Sequence, residues 1–140
     1  MKKNLSILFF LVFTVQAINS QNKHLGTWES LNTDDPVIMI LDDKGYMTFR
    51  VENLLLGGIG YNISGERLRM TYRINYTPKL PKITVVIKDL NENKVSKKDV
   101  GSIQFKSSNI MEMCFRKTIQ DNSNKTNKYE SDCKTFLKIK

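Results

Sequence analysis

Apolar and polar residues alternate along most of this chain in short runs broken by turn residues, the period of half-buried β-strands. Gly26 to Leu31 reads as a first strand, with a polar turn over Asn32 to Pro36. Val37 to Leu41 is continuously apolar, as expected of a strand covered on both sides or packed elsewhere on its outer face, and Asp42-Asp43-Lys44-Gly45 reverses the chain. Met47, Phe49 and Val51 then face inward, against Thr48, Arg50 and Glu52. Leu54-Leu55-Leu56, with one helical turn possible over Val51 to Leu56, leads into Gly57-Gly58-Ile59-Gly60, and the phase places Ile59, Tyr61 and Ile63 inside. The clearest alternation follows. Leu68, Met70, Tyr72 and Ile74 face the core while Arg67, Arg69, Thr71 and Arg73 face water.

Beyond Pro78 and Pro81, the residues Ile83, Val85 and Ile87 point inward, and Asp89 to Asp99 reads as a long lysine-rich loop without apolar period. Ile103 and Phe105 resume the core face, followed by Met111, Met113 and Phe115. A second polar loop is expected over Ile119 to Lys128, and a last strand over Tyr129 to Ile139 with Leu137 and Ile139 on one face. No stretch carries three turns of helical period. About eight or nine short antiparallel strands make a sandwich or a barrel, and the short connections favour an up-and-down barrel that leaves no open edges.

The amino terminus follows a different rule. Lys2 and Lys3 precede an apolar run from Leu5 to Val15, and Ala17-Ile18-Asn19-Ser20 supplies small residues before polar Gln21. This is the pattern of an export signal, too short for the ~20 apolar residues of a membrane span. Residues 1–20 are therefore expected to be removed, leaving a periplasmic or secreted domain over 21–140 with no transmembrane segment. Outside the cytoplasm, Cys114 and Cys133 are expected to be bridged. Strand phase conflicts with this at first sight, because Cys133 keeps step with Leu137 and Ile139 while Cys114 keeps step with Glu112 and Arg116.

Charge narrows the partners. The chain holds 22 Lys and Arg against 14 Asp and Glu, and losing Lys2 and Lys3 leaves about +6. That surplus is spread along the sequence, with no concentrated stripe flanked by aromatic readers, so no nucleic-acid partner is expected. It suits solubility or loose attraction to anionic surfaces. Catalysis lacks its parts: the one histidine, His24, lies at the start of the mature chain, away from either cysteine in sequence. The acidic residues sit mostly in turns, and no spaced series of metal ligands occurs. A non-enzymatic domain without cofactor or metal is expected.

Three short motifs carry a resemblance: Gly26-Thr27-Trp28, Asp43-Lys44-Gly45-Tyr46 and Gly60-Tyr61-Asn62-Ile63-Ser64-Gly65. With the rhythm of turns, the chain resembles small exported bacterial lipocalin-like proteins of the calycin superfamily. The resemblance implies that Trp28 closes one end of a barrel and that a late-strand arginine, best matched by Arg116, packs across it. It departs from that pattern in having a polar loop where a helix precedes the last strand. Such a barrel is either filled by its own side chains or holds one small molecule. In the second case Phe49, Tyr61, Met70, Tyr72, Phe105 and Met113 are the candidate interior contacts, and the partner is a small hydrophobic molecule or lipid. In the first case the domain has a filled core and binds an envelope protein or surface.

Overall fold

The computed structural model describes residues 22–119 and 128–140. The expected export signal lies outside them, as do residues 120–127 of the second polar loop. Among the described residues the fold is all-β, with ten antiparallel strands and no helix. They are β1 (Gly26–Ser30), β2 (Val37–Leu41), β3 (Met47–Val51), β4 (Leu54–Gly57), β5 (Tyr61–Ile63), β6 (Glu66–Asn75), β7 (Lys82–Asp89), β8 (Lys94–Phe105), β9 (Ile110–Ile119) and β10 (Lys128–Lys138). Each strand pairs with the next in sequence except β4 with β5, and β1 pairs with β10, so the meander wraps into a nearly closed barrel.

The seam explains why the barrel is narrower at one end. Near Trp28, β3 meets β6 directly: Tyr46 bridges Thr71, and the Tyr72 amide donates to the Gly45 carbonyl at 2.8 Å. Eight strands encircle this end, namely β1 to β3 and β6 to β10. Toward the other end the short β4 and β5 are inserted between β3 and β6. Gly57, the last residue of β4, turns the chain toward β5 at φ 103°, and any Cβ there would strike the Met47 carbonyl. On the opposite side of the barrel, β8 and β9 stay paired only from Phe105↔Met111 to Gly101↔Phe115, then separate. Both features widen the far end.

Four expectations change. The Leu54–Leu56 run forms β4, reached by a two-residue reversal at Glu52-Asn53, and makes no helical turn. The lysine-rich stretch from Lys94 is the first half of β8, hydrogen-bonded to β7 across a bulge at Ile87/Lys88. Ile59 and Ile63 are exposed, 65% and 42%, because the inserted β4 and β5 lie at the rim instead of over the core. On β10, Phe136 is the buried residue and Leu137 and Ile139 fall on the outer phase. The register across β10 and β9 sets Phe136 opposite Met111 and Cys133 opposite Cys114, which resolves the phase conflict between the cysteines.

The core is the interior of the eight-stranded half: Trp28, Met39, Leu41, Met47, Ile83, Ile103 and Met111 are almost wholly buried. Trp28 is fully enclosed, and its indole N–H donates to the His24 carbonyl at 2.8 Å. The disulfide between Cys114 and Cys133 ties β9 to β10 on the outer face.

Candidate functional site

At the wide end a cavity of about 230 Å³ opens inside the barrel, lined by Val37, Met39, Phe49, Met113, Phe115 and Phe136, with Asp132 and Lys134 at its solvent side. Strand pairing accounts for each wall. Val37 and Met39 on β2 lie beside Phe49 on β3, because Met39 and Phe49 are direct partners. Across the barrel, Phe136 and Lys134 on β10 pair with Met111 and Met113, and Asp132 pairs with Phe115. Alternation along β10 gives Phe136, Lys134 and Asp132 the same inward phase. Phe136 is 4% exposed, whereas Lys134 and Asp132 are both exposed. The result is an apolar floor of Met and Phe side chains with one ammonium and one carboxylate at the mouth.

Gly101 makes room for one wall. It faces Phe115 across the β8–β9 pair, and an added Cβ would lie 2.8 Å from that ring. The bare backbone lets the Phe115 ring lie close against Gly101. Met39 and Met113 are buried, and unbranched thioether side chains adapt to irregular apolar shapes.

Of the six interior residues picked from the sequence, two line this cavity: Phe49 and Met113. Met70 is buried in the core between β5 and β7, and Tyr61 is half-buried against that core. Burial alone raises the Tyr61 phenol above its ordinary value. Phe105 packs near Trp28 with ring centroids 6.3 Å apart. Tyr72 lies at the Trp28 end, where its hydroxyl donates to the Asp42 carbonyl at 2.7 Å. Burial, and then the Asp42 carboxylate, hold its phenol well above the usual range. The residues missed as contacts were Val37, Met39, Phe115 and Phe136 from the walls, of which the sequence had placed Phe115 on the core face, and Asp132 and Lys134 from the rim. Counting back in twos from Phe136 reaches both charged residues.

The end opposite the cavity is closed by a different cluster. His24, just before β1, packs edge-on to Tyr72 at 5.5 Å, and its Nδ1 is hydrogen-bonded to the Tyr76 hydroxyl at 2.7 Å. Arg116 does not cover Trp28. It is exposed on β9 opposite Ser131, on the outer phase and beyond the point where β8 and β9 separate. The cation over the indole is Lys138, Nζ 5.3 Å from the ring centroid, because Lys138 is the register partner of Trp28. Among the described residues no three His, Cys, Asp or Glu side chains converge to hold a metal ion. No protein-family model matches the chain, and no curated protein is significantly similar to it.

Proposed function

We propose that the chain is an exported, non-catalytic lipocalin-like domain that binds one small apolar molecule in the wide end of its barrel. The observation that carries this reading is the cavity: apolar walls, a volume of about 230 Å³ and a charged rim at Lys134 and Asp132. A dry cavity of about 150 Å³ accepts benzene, so by proportion this one takes about nine non-hydrogen atoms. That is a single ring with a short substituent, or a short acyl chain whose polar end reaches Lys134. A long-chain fatty acid would leave most of its tail in water. At about 0.6 kcal/mol per atom, within the range for small ligands, the affinity is about 5 kcal/mol, a Kd on the order of 0.1 mM.

Export is supported by the basic, apolar and small-residue order of residues 1–20 and by the disulfide, which persists in oxidising compartments. The side chains around the cavity offer binding surface rather than an activated nucleophile. Native mass spectrometry of protein purified from its own host, beside organic extraction, tests both halves of the proposal. The expected result is a chain beginning at Gln21 that carries one small amphiphile. A chain that keeps residues 1–20 would remove the export reading. A dry protein, or one holding only long-chain lipid, would remove the ligand reading.

A further inference from the structure

The outer face of β6, β7 and β8 carries an unbalanced charge. Register places Arg67, Arg69 and Arg73 on the outward phase of β6, Lys82 and Lys88 on that of β7, and Lys98 on that of β8. The carboxylates of these strands lie elsewhere. Asp89 is buried beneath the sheet opposite Leu68, Asp99 takes the inward phase opposite Val85, and Glu66 pairs with Ile63. Among the described residues, the lysines that form ion pairs are others: Lys94 with Glu92, Lys97 with Asp99 and Lys106 with Glu112. Six cations therefore share a patch of roughly 20 by 10 Å, from the rise per residue and the spacing of strands.

The neighbours of these cations indicate what they meet. Val95 and Val100 stand on the same outward phase, 58% and 49% exposed, with Val86 between β6 and β8. Among the described residues, no aromatic ring stands on the outward phase of these three strands to stack on bases or sugars. Cations interleaved with small exposed aliphatic groups fit the headgroup region of a bilayer, where charge meets phosphate and methyl groups leave water. We propose that this face docks the protein on an anionic phospholipid surface. The surface lies on the outer side of the barrel wall, so it is independent of the cavity and of whatever occupies it.

Co-flotation with phosphatidylglycerol-containing vesicles, against phosphatidylcholine alone, tests the proposal. The protein is expected to bind the anionic vesicles selectively and to be released as salt rises from about 50 to 300 mM, where screening shortens. Replacing Arg67→Gln, Arg73→Gln and Lys98→Gln together is expected to weaken binding about a hundredfold. Arg69 is spared because its Nε donates to the Ile59 carbonyl at 3.1 Å. A control of equal charge, Lys23→Gln, Lys44→Gln and Lys106→Gln, is expected to change it only a few-fold. Equal losses in the two triples would mean that net charge alone acts. That result would overturn the proposal, as would salt-insensitive binding or capture by soluble heparin without vesicle binding.

Discussion

Truncating Trp28 to alanine removes the largest fully buried side chain and opens the narrow end of the barrel. Three attachments go at once: the indole N–H to the His24 carbonyl at 2.8 Å, the Lys138 contact at 5.3 Å and the packing on Phe105. β1 pairs with both β2 and β10 through this residue, opposite Met39 and Lys138, so the backbone around the void is held from two sides and collapses little. The expected cost is ~3 to 5 kcal/mol, as for other buried aromatics. For a domain of this size that lowers Tm by roughly 12 to 20 °C. Trp28→Phe keeps most of the ring and loses the N–H, leaving the His24 carbonyl without its indole donor. It is expected to cost ~1 to 3 kcal/mol. Urea melts of the three proteins give the ranking. An alanine variant within about 1 kcal/mol of the parent would refute the reasoning, because a filled barrel end cannot lose an indole at so little cost.

Three further outcomes follow from named contacts. Removing the disulfide by Cys114→Ser with Cys133→Ser frees a separation of 19 residues and is expected to cost ~3 kcal/mol, read from melts of the oxidised parent and the variant. Gly101→Ala forces a Cβ against the Phe115 ring and the Cys114 carbonyl, and is expected to cost ~1 to 3 kcal/mol and weaken ligand binding in a titration. The Tyr72 phenol titrates higher in the folded protein than its unfolded value of 10.0, first because it is buried and then because of Asp42. The folded state therefore holds this proton more tightly. Its stabilising effect is complete below pH 10 and declines as pH rises above that value. Urea melts at pH 8 and pH 11 are expected to show a steeper loss for the parent than for Tyr72→Phe.

Alternation made most of the barrel legible, because each strand that lines the filled half repeats every second residue: Leu68 to Ile74, Ile83 to Ile87, Met111 to Phe115. It failed where a strand leaves that core. Lys94 to Lys98 are exposed on both phases, since the outer half of β8 pairs with β7 alone, so no apolar alternation marks the strand. Leu54 and Leu55 are 57% and 60% exposed at the rim, where an unbroken leucine run follows no burial pattern. Trp28 was recognisable as a buried closing residue. Its cation was not, because Lys138 is set by the register of β1 on β10, a long-range pairing. The rim of the cavity was hidden for a related reason. Leu137 and Ile139 alternate as an inward pair would, although Phe136 is the buried residue, and their phase places Lys134 and Asp132 outward.

The central claim is that the wide end of the barrel holds a small apolar ligand, and the methionines report on it directly. All five of these methionines belong to the core, but Met39 and Met113 also line the cavity, whereas Met47, Met70 and Met111 do not. In protein carrying ¹³C-methyl methionine, titration with octanoate is expected to move the Met39 and Met113 methyl resonances saturably. The midpoint should fall on the order of 0.1 mM, and Lys134→Gln should raise it. Methyl resonances that stay fixed through millimolar octanoate, or shifts confined to Met47, Met70 and Met111, would contradict the account.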